Sequence, residues 1–345
     1  MRIILTILAI VFSMGHLHRA EAWTRDQLSI APALMKQELL SANIAHPEIW
    51  QLAGWLAYQE GYGSPRPSRH SSSWSLRPVL AYDANVNNGF ANDAIAIGGL
   101  DFLVDEKFRR KSAAVAGASL AGNHVWGLSK RVSLHLDHTA RYVHAVNANY
   151  DKWAYALQPC LNYFASATSR AFVCAAAERS VTELSARSEK SLSFGMSRAY
   201  SVGSYVNSSQ LTIMRSAIDS GADYFQNSVT YQHQVLLGNA MLLSGRIKLS
   251  KPVDGIFSGR ESCKISAARM VGGRRYEASI FQENRRGGSF LNEPRNEMLR
   301  GVVVSARLSE ALGVRIGRVR NEASNSFHDD QFTILDVNLD LLRLR

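Results

Sequence analysis

Cysteine and proline are both scarce, at three and eight in 345 residues. So few cysteines exclude a small disulfide scaffold, and no two have the close spacing of structural zinc ligands. Beyond residue 22 no run of about 18 consecutive apolar residues occurs, which excludes helical membrane spans of the ordinary kind. Acidic side chains are in deficit, 29 against 39 Lys and Arg, giving a net charge of +10. The HExxH, GxSxG, Walker and dinucleotide fingerprints are missing, so nothing calls for a cofactor or an enzyme. No cysteine follows the small residues at Ala20 to Ala22, which excludes a lipidation signal there. With 46% hydrophobic and 20% charged residues, the chain is too apolar to be wholly disordered.

What is present begins with Arg2, an apolar run from Ile3 to Phe12, and Ala20-Glu21-Ala22 before Trp23. That is the layout of a secretory signal over residues 1–22, against which stands an uncleaved anchor or a buried terminal helix. Export removes nucleic acid as a partner in spite of the positive charge. Residues 23–60 hold the one convincing helical region, with Gln27 to Leu40 followed by a segment opening at His46-Pro47-Glu48. A short helical periplasmic segment is expected there, as an amphipathic pair capping or plugging the β domain. Residues 61–75 are rich in Gly, Pro, Ser, Arg and His and read as an irregular linker.

From residue 76 to 345 the chain alternates. Val229, Tyr231, His233 and Val235 stand against Thr230, Gln232 and Gln234, and Leu192, Phe194 and Met196 against Ser191, Ser193, Gly195 and Ser197. A period of two places these sets on opposite faces of a strand. About fifteen such candidates follow one another, 93–104 among them, many reaching the 9 to 11 residues that cross a bilayer. An all-β transmembrane antiparallel barrel of about 14 strands is expected, with one candidate split or outside the wall. It belongs in a Gram-negative cell outer membrane, apolar residues toward lipid and small or polar ones toward a wet lumen. Tyr142, Tyr150, Trp153, Tyr155, Tyr163, Tyr200, Tyr205, Tyr224 and Phe225 fall near strand ends, as interfacial girdles do.

Arg131, Arg141, Arg179, Arg198, Arg215, Arg246, Arg269, Arg307 and Arg318 recur through the strands as candidate lumen charge, where they would favour anions. Pairing with lumen carboxylates or packing at the membrane interface is the competing role. Basic loops at Lys107 to Lys111 and Arg285 to Arg295 are either solvated or meet outer-membrane lipids and lipopolysaccharide. Cys160 and Cys174 are equidistant from residue 167 and face each other across a hairpin turning there, as a disulfide or as two small packing residues. Ser133, His135, Asp137 and His138 form a weak hydrolase-like cluster, and His328-Asp329-Asp330 a weak cation-binding one.

Trp50, Leu52-Ala53-Gly54 and Tyr58 resemble the first helix of a tetratricopeptide repeat, with the glycine displaced by one. Pro78 to Gly89, with its asparagines at 85, 87 and 88, resembles the opening strand of the carboxy-terminal barrel of the surface lipoprotein assembly modifier family. The likeness implies a periplasmic repeat region, a 14-stranded barrel, and transport of a protein or lipoprotein client to the cell surface. Two features depart from it. Residues 23–75 are short for a repeat array, and the end at Leu341 to Arg345 lacks the terminal aromatic by which such barrels engage the barrel assembly machinery. The final segment also slips phase between Ile334 and Val337, as a bulge would produce. Three functions remain: export or surface display of proteins, an anion-preferring porin or substrate-export channel, and a non-conducting outer-membrane scaffold.

Overall fold

The computed structural model describes residues 30–41, 47–97, 100–203, 205–237, 241–290, 293–309, 311–324, 328–339 and 342–344. The expected signal at 1–22 lies outside them. Two helices, α1 (Pro32–Ser41) and α2 (Pro47–Gln59), precede the sheet. Each has proline at its first position, where the missing N–H costs nothing and the fixed φ suits a helix. Leu39 of α1 packs with Ala53 and Leu56 of α2, and Lys36 reaches Glu60 at 2.6 Å.

The wall consists of β1 (Ser68–Asp83), β4 (Ala113–Ser129), β5 (Val132–Ala145), β6 (Asp151–Ser166), β7 (Ser169–Val181), β8 (Ala186–Val202), β9 (Tyr205–Asp219), β10 (Asp223–Leu237), β11 (Met241–Ser250), β12 (Ser258–Val271), β13 (Arg274–Phe290), β14 (Glu293–Arg307), β15 (Leu312–Ala323), β16 (Asp330–Leu339) and β17 (Leu342–Leu344). Each pairs antiparallel with its neighbours, and β1 closes the ring against both β16 and β17. Because β16 and β17 follow one another along the same edge of β1, the wall is a closed barrel of 14 strands. Closure leaves no unpaired edge, which hydrocarbon would not tolerate. The short hairpin β2 (Ala94–Ile97) and β3 (Leu100–Leu103) stands apart, so candidate strand 93–104 is the one outside the wall.

Short turns at 130–131, 167–168 and 272–273 gather at one end, and the longer connections 84–112, 146–150, 182–185 and 251–257 at the other. By the usual asymmetry of such barrels these ends are periplasmic and extracellular respectively. Large apolar side chains stand exposed on the outer face, among them Leu192, Met196, Ile213, Val304 and Ile316. Such a surface is stable against lipid, not water.

Several details differ from the sequence reading. β1 begins at Ser68, so half of the expected 61–75 linker is wall; the serines at 71–73 hide the strand because both of its faces are polar there. The helical segment, by contrast, packs on the wall as a pair capping or plugging the barrel would. Ile30, Ala31, Leu34 and Met35 form one buried cluster with Val206, Leu236, Leu242 and Ala268, four wall residues beside the periplasmic turns. Glu60, just after α2, touches His135 on β5. One helix pair reaching β5 and β9–β12 lies across the periplasmic mouth, inside the wall. The phase slip near Ile334 is not a bulge either: β15 pairs with β16 without a shift from Asp330 to Leu339, and Phe332 and Ile334 are apolar residues that point inward.

α2 ends on Gly61 in a Schellman motif. Tyr62 N donates to Ala57 O at 3.1 Å and Gly61 N to Tyr58 O at 2.8 Å, with Gly61 at φ +87. A Cβ here would lie 2.4 Å from Ser133 Cβ. Gly61→Ala is therefore expected to lose about 1–2 kcal/mol from the left-handed backbone alone, and more from the clash. Detergent-solubilised barrel should then show a lower midpoint for loss of near-ultraviolet helix–wall signal; an unchanged midpoint would contradict this placement.

Candidate functional site

The polar residues that the wall turns inward at the periplasmic end hold the carboxyl end of α2. A helix leaves its last carbonyls without partners. The His70 ring meets Tyr58 O at 2.5 Å, Ser71 Oγ donates to Gln59 O at 3.4 Å, and Glu60 O receives His135 Nε2 at 2.9 Å and Ser133 Oγ at 3.4 Å. A ladder shift between Arg69 and Ser71 lets two successive residues reach the helix. The Tyr58 ring stacks on His70 with centroids 3.8 Å apart. The hydrolase-like cluster is thus divided: Ser133 and His135 hold the helix, Asp137 accepts from Asn123 at 2.5 Å, and His138 faces outward against Trp74. No catalytic grouping results.

Phase along each ladder now places the nine arginines. Leu242 touches α1, so Arg246 points inward with it; His135 touches Glu60, so Arg141 does too. Arg307 shares the phase of Ser305, which pairs with Glu277, itself paired with the helix-contacting Ala268. The other six are elsewhere. Arg131 is in the β4–β5 turn. Arg198, Arg215, Arg269 and Arg318 share the outward phase of Met196, Ile213, Ile265 and Ile316. Arg179 stacks over Trp153 and Arg215 over Phe225, at 5.4 and 5.1 Å.

Three inward arginines absent from the sequence reading complete the lumen. Arg77, Arg275, Arg307 and Arg315 line a cavity of about 230 Å³ with Ser305. Arg141 and Arg315 approach Asp336 at 4.0 and 3.8 Å, and Arg275 pairs with Glu277 at 3.0 Å. Five guanidiniums thus gather on one sector of the lumen, with Glu277 and Asp336 beside them. The strip lies on β13–β15, β1 and β5, round the wall from where α1 packs on β8 and β9. Arg246, Lys248 and Lys264 add positive charge on the adjoining strands β11 and β12.

Cys160 and Cys174 form a disulfide between directly paired positions of β6 and β7, Cα atoms 4.0 Å apart. Among the girdle aromatics, Tyr142, Tyr155, Tyr163, Tyr205 and Phe225 are exposed, while Tyr150 packs inward with Val143 and Ala145.

At the extracellular mouth the loop 84–112 folds into the barrel. Val86, fully buried, packs on the inward-facing Val79, Val115 and Val143. The Asn87 amide donates to Arg109 O at 2.7 Å and accepts from Lys111 N at 2.9 Å. Asn88 crosses to Ser185 at 2.9 Å, and Arg110 pairs with Asp330. The weak grouping His328-Asp329-Asp330 is dispersed: Asp330 serves Arg110, Asp329 caps Ala323 N at 2.7 Å, and His328 O accepts from Asn321. Among the described residues no three His, Cys, Asp or Glu side chains gather as a metal site.

The His328 ring lies 6.0 Å from that of Phe90 in the folded-in loop. Burial holds its pKa below the ordinary imidazole value, Arg295 adds to this, and Glu297 opposes it. The folded loops therefore bind fewer protons than unfolded ones between that lowered value and about 6.5. Their stability is complete above about 6.5 and declines as pH falls through the window. Hydrogen exchange at 86–90 and 328–330 should accelerate on acidification, and His328→Phe should abolish the acceleration; pH-independent exchange in the unsubstituted protein would refute it.

No protein-family model matches the chain, and no curated protein does. Solved structures that it resembles include OccAB4 of Acinetobacter baumannii, at 9% identity and a TM-score of 0.43, covering 80% of this chain and 99% of that one. Others are the outer membrane protein OpdK from Pseudomonas aeruginosa, at 8% and 0.42 over 79% and 98%, and OccK2 of the same organism in complex with glucuronate, at 11% and 0.40 over 80% and 98%. The expected membership in the surface lipoprotein assembly modifier family is corrected: no model of that family matches, and the solved structures found are of the OccK and OpdK kind. Export or surface display of lipoproteins falls with it, and the segment that looked like a repeat helix is the α2 just described, seated on the wall. The chain is an outer-membrane barrel of 14 strands whose helical segment occupies the periplasmic side.

Proposed function

We propose that this protein is an anion-preferring channel whose own helix pair and first extracellular loop narrow the path. The observation that carries this reading is the concentration of five inward guanidiniums, Arg77, Arg141, Arg275, Arg307 and Arg315, on one sector of the lumen, several of them lining one cavity. Low-dielectric walls focus such charge and raise the local concentration of counter-ions. Guanidiniums spaced along the barrel offer an anion successive sites, each weak enough to leave. Carboxylates and phosphates suit the planar fork of arginine best, so small organic acids and phosphate esters are the solute class.

The test is the reversal potential of the full-length protein in a planar bilayer under a potassium chloride gradient. Anion preference places it on the chloride side of zero. A potential on the potassium side would reject the proposal, and a complete absence of current would favour the non-conducting scaffold. That second reading has its own support in the two filled mouths, where α1 with Leu242 and Val86 with Val143 are buried.

A further inference from the structure

The outward arginines at the extracellular edge have a separate use. Arg300 on β14 and Arg318 and Arg320 on β15 share the outward phase of Val302, Val304 and Ile316, each of which is exposed. Arg300 and Arg320 are direct partners across the ladder, and Arg318 is opposite Val302. Like charges placed directly opposite repel, and an arrangement of this kind needs anions to hold it. Glu322 supplies one, taking Arg320 Nε at 3.1 Å and also Arg300. Arg318 Nε turns to the side-chain oxygen of Gln331 at 2.8 Å, a neutral acceptor. Among the described residues, two of the three guanidiniums thus share one carboxylate and the third has a neutral acceptor. Glu261, on the outer face two strands away, is occupied with Asn284 at 2.9 Å. The Arg300 and Arg320 side chains remain 48% and 59% exposed.

Their height completes the argument. Toward the periplasm the same face continues as Val302, Val304, Ile316 and Leu335, with no charge among them. The cluster therefore begins where the apolar band ends on the extracellular side, level with the headgroups of the outer leaflet. We propose that Arg300, Arg318 and Arg320 bind the phosphate groups of an outer-leaflet glycolipid, whose acyl chains lie along the apolar residues below. A phosphate monoester accepts two parallel bonds from one guanidinium and leaves oxygens for a second, a match that a zwitterionic headgroup meets less well. Arg179 over Trp153 and Arg215 over Phe225 mark the same edge elsewhere on the wall, but each stands alone on its ring.

The experiment folds the full chain in detergent and titrates it with a disaccharide glycolipid bearing phosphate monoesters, with its dephosphorylated counterpart, and with inorganic phosphate, reading bound lipid by native mass spectrometry. The phosphorylated lipid should be retained and the dephosphorylated one bound at least about tenfold more weakly, the loss expected when hydrogen bonds to a charged group go. Substituting Arg300→Gln, Arg318→Gln and Arg320→Gln together should weaken the phosphorylated lipid by a similar factor. Lys130→Gln with Arg131→Gln, in the periplasmic turn, should leave it bound. Equal retention of the two lipids by the unsubstituted protein would overturn the proposal without reference to any variant's folding. So would undiminished binding by the folded triple variant, or inorganic phosphate bound as tightly as the lipid.

Discussion

Deleting residues 30–60 is expected to raise single-channel conductance several-fold, without abolishing the barrel. Every wall strand lies after Gly61, and the ring closes through β1, β16 and β17, so the deletion removes no ladder partner. What it removes is the contents of the periplasmic mouth, Ile30 to Met35 against Val206, Leu236, Leu242 and Ala268, and α2 against His70 and His135. The inward patch left behind is small and apolar, and water would enter it once the helices are gone. A milder version breaks the latch. Lys36 is 4% exposed and Glu60 28%, so Lys36→Ala should loosen the pair by about 2 kcal/mol, less than the 3–5 kcal/mol of a fully buried ion pair because Glu60 is partly hydrated. Current recordings should then show brief openings to the level of the deletion. If the folded deletion variant conducts no better than the intact chain, the helices are not the barrier and loop 84–112 carries it alone.

The strands were readable because lipid and lumen impose opposite polarity on alternate residues. Leu192, Phe194 and Met196 against Ser191, Ser193 and Gly195 needs no tertiary knowledge. The facing of the arginines was readable by the same count, though taking them as a group concealed it. Arg198 continues the phase of Leu192 to Met196, Arg215 that of Leu211 and Ile213, and Arg269 that of Ile265; counted in twos, all three belong outside. Arg77 was missed because its neighbours Leu76 and Pro78 marked the start of the strand, and Arg315 because glycines at 313 and 317 blur its inward face. The helix socket was beyond local patterns. His135 is 75 residues from Glu60, and nothing near either states that an imidazole on one strand serves a helix end. Resemblance misled where it replaced this counting, since asparagines at 85, 87 and 88 proved to be the start of a folded-in loop, with Asn87 fully buried.

Replacing Arg141, Arg275, Arg307 and Arg315 by glutamine should lower the chloride-to-potassium permeability ratio by about tenfold, the lower end of what focused charge contributes in a cleft. The change removes four positive charges from the strip and leaves Asp336 and Glu277 without these partners. Glutamine keeps a comparable length and a donor, so the lumen keeps its bore and the conductance at high salt should change little. Low salt is where the difference should be large, because screening shortens to a few ångströms near molar ionic strength and lengthens tenfold at a hundredth of that. The comparison that isolates the lumen is Arg179→Gln with Arg215→Gln, which removes charge from the outer face over Trp153 and Phe225. That pair should leave the ratio unchanged. A selectivity lost equally through the outer arginines would mean that the net charge of the protein, not the sector from β13 to β1, attracts the anion.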